Sequence, residues 1–220
     1  SLPAFCAIWR NGSDSIILST RVWDIDKQVF VGLADANGYV WLTSNASNSS
    51  SWDSGTAMNS LVGGFFNYSF APSGCGYGVG KQKWVAGTSG NSQYKDANSS
   101  AFNVTLNASL SSTVGGPDNI TVKLGDVVNV SFTVLDECSA GVSAVTPVLF
   151  FAGPSNYYFD SGINDLGNGT YNYSFDSTGK SLGWYNVTSQ AGKAFYPQSN
   201  ATKNNSFRIS RVPELQLPSS

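Results

Sequence analysis

The chain has 220 residues, more than the usual single domain of about 100 to 150, which points to two domains of roughly 100 residues each. Charged residues are only 12% against about 25% in ordinary soluble proteins, and a formal charge of -2 leaves no basic footprint for nucleic acid. Histidine is absent, which excludes Ser-His-Asp triads, Cys-His nucleophiles and His-bearing zinc sites.

Ser, Thr, Asn and Gly make up about two-fifths of the chain, yet Phe, Trp and Tyr reach 13% and are spread throughout, enough large apolar groups for packed cores. No window approaches the roughly 18 apolar residues of a membrane span, and opening on Ser1 without a basic-then-apolar segment reads as a processed, excised or repeated piece. The expected class is all-β.

In the first hundred residues, candidate strands fall at Ala4 to Trp9, Ser15 to Trp23, Gln28 to Leu33, Tyr39 to Thr43, Phe65 to Phe70 and Lys83 to Ala86. Asn37-Gly38 reads as a tight hairpin turn supplying positive φ. Ser44 to Met58 is polar and without pattern, an exposed loop, with a helical turn considered near Thr56 to Leu61. Phe102 to Leu110 alternates as one strand that closes the first domain or bridges the two.

Beyond it, Ile120 to Leu124, Val128 to Val134, Val145 to Phe151, Tyr171 to Phe175, Trp184 to Thr188 and Phe207 with Ile209 contribute to about seven strands, the number of a small immunoglobulin-like sandwich. Pro147 marks its strand as an edge or a bulge. The predicted organisation is a β-sandwich over 1–110, a second over 111–211, and a Pro-bounded linker or tail over 212–220.

The feature that rises above fold class is the triplet Asn-x-Ser/Thr, the acceptor pattern for N-glycosylation. It occurs at Asn11, Asn45, Asn48, Asn67, Asn98, Asn103, Asn107, Asn119, Asn129, Asn168, Asn172, Asn186, Asn200 and Asn204. With Ser and Thr at about a fifth of the chain, chance would give roughly four. Strands generate Asn-apolar-Thr easily because i and i+2 share a face, but Asn is disfavoured in strands, where Thr serves better. A glycan that must project into solvent supplies the reason for Asn, and dense glycans on a low-charge chain imply an extracellular or cell-surface setting.

Three cysteines are an odd number for such a setting. Cys6 with Cys75 is the preferred pair, leaving Cys138 as a buried small hydrophobe or an intermolecular link. Asp24, Asp26, Asp35 and Asn37 offer oxygens without the spacing of a calcium loop, so ordinary turn roles are favoured and no metal site, cofactor or catalytic residue is nominated.

Gly167-Asn168-Gly169-Thr170-Tyr171-Asn172-Tyr173 resembles the Gly-x-Tyr-x-Cys corner that opens the penultimate strand of immunoglobulin folds, with Tyr171 as corner tyrosine and Tyr173 in place of the cysteine. Val29 to Leu33 followed by Asp35-Ala36-Asn37-Gly38-Tyr39-Val40 resembles the strand-turn-strand element of carboxypeptidase-regulatory-like sandwiches. With Cys75-Gly76-Tyr77-Gly78, Gln82-Lys83-Trp84 and Tyr94-Lys95-Asp96, the chain is similar to tandem domains of archaeal and other prokaryotic surface glycoproteins. The resemblance implies two tandem immunoglobulin-like sandwiches.

The expected function is a structural, N-glycosylated, non-enzymatic subunit of an extracellular filament or surface layer that self-associates end to end. Sheet edges accept an added strand, and Leu2, Ala4, Phe5, Ile8 and Trp9 mark the N-terminal segment as the favoured donor over Leu215 and Leu217. The alternative is an adhesin or carbohydrate-binding module acting through loops, with Trp52 as a stacking residue.

Overall fold

The computed structural model describes residues 7–31, 36–45 and 51–211. Among them there is no helix, and the chain divides into two compact units, residues 1–108 and 109–220.

The first unit contains β1 (Ala7–Trp9), β2 (Ile16–Arg21), β3 (Trp23–Asp24), β4 (Val29–Phe30), β5 (Gly38–Leu42), β6 (Thr56–Ala57), β7 (Asn59–Leu61), β8 (Phe65–Phe70), β9 (Gly80–Thr88), β10 (Ala97–Asn98) and β11 (Phe102–Asn107). One sheet runs β1-β11-β9-β5-β6 with β10 also on β9; the other runs β2-β8-β7, and β3 with β4 forms a separate ribbon. Period-two alternation sends Val40 and Leu42, Trp84 and Ala86, Val104 and Leu106 from the larger sheet into one core with Leu18, Phe66 and Phe70 from the smaller.

The second unit contains β12 (Leu110–Gly116), β13 (Ile120–Lys123), β14 (Val127–Asp136), β15 (Thr146–Ala152), β16 (Tyr157–Phe159), β17 (Asn164–Asp165), β18 (Thr170–Asp176), β19 (Gly183–Lys193) and β20 (Tyr196–Ser210). Its sheets run β12-β14-β18-β17 and β13-β20-β19-β15-β16. Between β12 and β13 the chain passes from one sheet to the other, through a register shift at Val114 to Gly116 and the cis Gly116–Pro117 bond, and β13 then pairs parallel to β20. The core is aromatic: Phe151 stacks on Phe175 at 4.4 Å, Tyr185 on Phe207 at 5.3 Å and Phe132 on Tyr171 at 5.1 Å. Each such fully buried side chain stabilises the unit by about 1.5–3 kcal/mol. Pro147 is tolerated because β16 pairs only with Leu149 to Phe151, leaving the proline end of β15 a single neighbour.

Several expectations are corrected. Phe102 to Leu110 is not one strand: β11 belongs to the first unit and Leu110 opens β12 in the second, with Ala108 buried at the break. Thr56 to Leu61 forms no helical turn; the Met58 N–H donates to the Gly38 carbonyl at 2.9 Å and Asn59 to Leu61 pair with β8. Asn37-Gly38 is not a positive-φ hairpin between adjacent strands, since β4 pairs with β3 while Gly38 begins β5 on β9. Gly38 is required by packing: a Cβ there would run into the buried Phe66 ring.

Tyr171 does not open the penultimate strand. It sits on β18, where its hydroxyl donates to the Val142 carbonyl at 2.8 Å and accepts the Val145 N–H at 3.3 Å. The corner geometry belongs to Tyr185, near the start of β19, which donates to the Ser181 carbonyl four residues upstream at 2.8 Å. Burial holds the Tyr185 phenol up at about 12.

Candidate functional site

The acceptor asparagines are the largest set of candidate functional residues, and alternation decides where each strand presents them. Beside inward Val104 and Leu106, Asn103 and Asn107 take the outer face of β11; beside inward Phe66 and Phe70, Asn67 takes that of β8. In the second unit Asn129 on β14 and Asn172 on β18 lie on the outer face of one sheet, and Asn186, Asn200 and Asn204 on β19 and β20 lie on that of the other. Every one of the four outer sheet faces thus carries at least one acceptor. Asn11, Asn45, Asn98, Asn119 and Asn168 are exposed in turns or short strands, and Asn48 lies outside the described residues. None of the described acceptors is buried.

Some of these positions have local reasons to be asparagine. Asn119 and Asn168 hold positive φ, which Asn tolerates better than most residues, and Asn11 accepts the Ser13 N–H in an Asx turn at 3.0 Å. Of the strand positions only Asn186 has such a backbone reason, since its side chain accepts the N–H of positive-φ Asn205. On four of them the side-chain oxygen is hydrogen-bonded: Asn67 accepts from Ser19 at 2.6 Å, Asn129 from Ser174 at 3.1 Å, Asn172 from Asn164 at 3.0 Å and Asn186 from the Asn205 N–H at 2.7 Å. These bonds fix the amide through its oxygen and leave the nitrogen, the atom that takes a sugar, out of them. Asn204 differs, because its Ser206 is buried and donates to the Pro117 carbonyl at 2.7 Å.

Of the N-terminal segment, Leu2, Ala4, Phe5 and Cys6 lie outside the described residues, as do 212–220. Ala7 to Trp9 pair in parallel with Thr105 to Asn107 of the same unit, and Ile8 is buried in its core. The strand is short, with one fully inserted apolar side chain. Cys75 is disulfide-bonded, and so is Cys138, which is half-buried rather than a buried free thiol.

Residues 51–58 are fastened more than their composition suggests. Trp52 pairs with Thr43, and Asp53 accepts the Leu42 and Gly55 N–H groups and the Tyr77 hydroxyl at 3.1, 3.0 and 3.1 Å. Burial, with Asp53 beside it, pushes the Tyr77 phenol up to about 12. Trp52 remains 38% exposed.

A second aromatic group was not legible in the sequence. The Arg21 guanidinium lies 3.2 Å over the Phe30 ring and 4.4 Å from that of Phe65, and is pinned by two bonds to the Gly63 carbonyl. Trp23 packs edge-on against Phe30 at 4.7 Å and is still 48% exposed. Beside it, Asp24 accepts the Asp26 and Lys27 N–H groups and the Tyr94 hydroxyl, and the Lys27 N–H above all holds its carboxyl below the usual range. That carboxylate is spent on its own turn.

Each unit has paired sheets, a parallel pairing of an early strand with the last one (β1 with β11, β13 with β20) and a core of alternating inward residues, and the second adds the tyrosine corner. The protein is therefore two immunoglobulin-like β-sandwiches in tandem. A solved tetra-tandem repeat from the extending region of a large adhesion protein shares this fold, with 13% identity over 90% of this chain and 46% of that one and a TM-score of 0.51. A 1.5-MDa bacterial ice-binding adhesin matches at 14% identity over 93% and 61% of the two chains with a TM-score of 0.31, and a marsupial T cell receptor at 7% over 97% and 73% with 0.41. The chain spans about half the length of the first and under two-thirds of the second. No family model and no curated protein sequence matches it.

Proposed function

We propose that the protein is a structural, N-glycosylated subunit or repeat of an extracellular filament or surface layer, without enzymatic activity, whose copies associate end to end. The observation that carries this reading is the spread of acceptors over all four outer sheet faces of a chain with only 12% charged residues. Sugar would then supply the hydration that charge supplies elsewhere. The resemblance to repeats in the extending region of an adhesion protein supports a spacer-like role at a cell surface.

Association by strand exchange fits the shape of β1. The slot beside β11 is filled by three residues of the same chain, with Ile8 the buried one, so the same segment can leave it and occupy the equivalent slot of a neighbour at little cost. The test is electron microscopy of the secreted protein together with intact-glycopeptide mass spectrometry. Thin regular fibres or sheets that are lost on deletion of residues 1–9, with sugar on most acceptors, are expected. Assembly unaffected by the deletion would overturn strand exchange, and bare asparagines would overturn the glycoprotein reading.

A second reading, recognition of carbohydrate through loops, is favoured by half-open Trp52. Loss of glycan or cell binding in Trp52→Ala would support it.

A further inference from the structure

We infer that the hollow beside Trp23 is the seat of the first sugar of a glycan on Asn98. The inference rests on the glycoprotein reading above and adds to it a defined place where sugar and protein meet. The hollow has a volume of about 220 Å³ and opens where the end of β2 meets the β9–β10 hairpin. Its lining includes Thr20, Trp23, Gly87, Thr88 and Asn98. It is smaller than the roughly 300–1,000 Å³ of a drug-sized ligand site and of the order of one monosaccharide.

Three features point to a sugar. Asn98 is exposed, is followed by Ser99 and Ser100 in the acceptor pattern, and lies on the lip of the hollow, so anything attached to it begins there. Trp23 lines the same hollow with about half its surface uncovered, and an indole face suits the apolar face of a pyranose. The platform is also fixed before any ligand arrives, because Phe30 packs edge-on against Trp23 and the Arg21 guanidinium lies over the Phe30 ring, itself held by the Gly63 carbonyl.

Gly87 completes the fit. A side chain there would run into the Ala97 carbonyl and the Asn98 amide oxygen, so only glycine lets β10 lie close enough to bring Asn98 to the hollow. Among the lining hydroxyls, those of Thr88 and Ser99 are bonded to the Lys95 and Ser100 carbonyls, which leaves half-buried Thr20 to face a sugar's own. Stacking between one sugar and one indole is weak between free partners. A covalent tether raises the local concentration to the millimolar range or above, where a weak contact is populated.

The test uses the full chain secreted by a host that installs N-acetylglucosamine, with glycans trimmed to that single residue. Mass spectrometry establishes occupancy at Asn98. Thermal unfolding is then compared for the parent, Asn98→Gln, Trp23→Ala and the double variant, with Trp23→Leu in reserve should the alanine variant fail to fold. We expect Asn98→Gln to lower the midpoint of the first unit by about 3 °C when Trp23 is present and to have no effect when it is absent. The N-acetyl methyl proton resonance of that sugar should be shifted upfield by the indole ring and should return to its ordinary position in Trp23→Leu. An occupied Asn98 with no coupling and an ordinary methyl position would overturn the seat while leaving the glycoprotein reading intact. A bare Asn98 among occupied acceptors would overturn the seat alone, and bare asparagines throughout would overturn both.

Discussion

Tyr171 and Tyr185 are the two fully buried tyrosines of the second sandwich, and replacing each by phenylalanine should separate two kinds of hydrogen bond. The ring and its packing are kept in both variants, so only the hydroxyl is lost. In Tyr171→Phe the Val142 carbonyl and the Val145 N–H both lose their partner, in residues only 6% and 7% exposed. A buried backbone group left without a partner costs about 1–3 kcal/mol, so the pair should cost roughly 2–4 kcal/mol after some relaxation. In Tyr185→Phe one backbone group, the Ser181 carbonyl, is released, and Ser181 is half-exposed, so water replaces the lost donor and the cost falls to about 1 kcal/mol. Urea unfolding of the full chain measures both, read on the transition of the second unit with the denaturant slope unchanged. A Tyr185→Phe variant as damaging as Tyr171→Phe would refute the reasoning, because it would mean that the corner bond and not the count of orphaned backbone groups sets the cost.

Gly38→Ala should destabilise the first unit by roughly 1–3 kcal/mol, since the new methyl meets the Phe66 ring, which has no room to withdraw; a neutral effect in the same urea titration would show that β5 can shift. Alkaline pH should weaken the second unit between about pH 10 and 12. The unfolded Tyr185 phenol gives up its proton near 10 while the folded one holds it to about 12, so the unfolded state binds fewer protons in that window and stability falls as pH rises. The stabilisation from burying Tyr185 neutral is complete below pH 10 and is lost as pH passes 12, of the order of 1–3 kcal/mol; Tyr185→Phe should flatten that part of the profile, and an unchanged slope would count against it.

The all-β class was legible because the strands of the second unit alternate cleanly, Val128 to Val134 above all. What the sequence concealed were features set by pairing partners distant in the chain. Phe102 to Leu110 alternates without a break, and only the partners of each end, β9 for one and β14 for the other, divide it between two units. Gly169-Thr170-Tyr171 and Gly183-Trp184-Tyr185 both carry the Gly-x-Tyr element of a corner without its cysteine, and only the pairing of β18 and β19 shows that Tyr185 has the corner bond. The outward placement of the strand asparagines could be read from their apolar neighbours. The Arg21, Phe30 and Trp23 group could not, because Arg21 reaches Phe30 and Phe65 only once β2, the ribbon and β8 are in place.

The distribution of acceptors also restricts how copies could associate. On the outer face of the sheet containing β15, β16 and β19 lie Phe150, Tyr158 and Trp184, 36%, 62% and 37% exposed, an apolar patch of the kind that invites face-to-face packing. Asn186 and Asn200 project from that same face. With sugar on either, two such faces cannot meet closely, and the apolar groups are screened from other protein while staying in contact with the glycan. The opposite face carries Asn129 and Asn172, and the first unit repeats the arrangement with Asn67 on one sheet and Asn103 and Asn107 on the other. With sugar on all four faces, strand edges and loop ends would be the surfaces left to bind another copy. Edges offer backbone donors and acceptors in register whatever the side chains, which is the interaction that glycans projecting from the faces obstruct least.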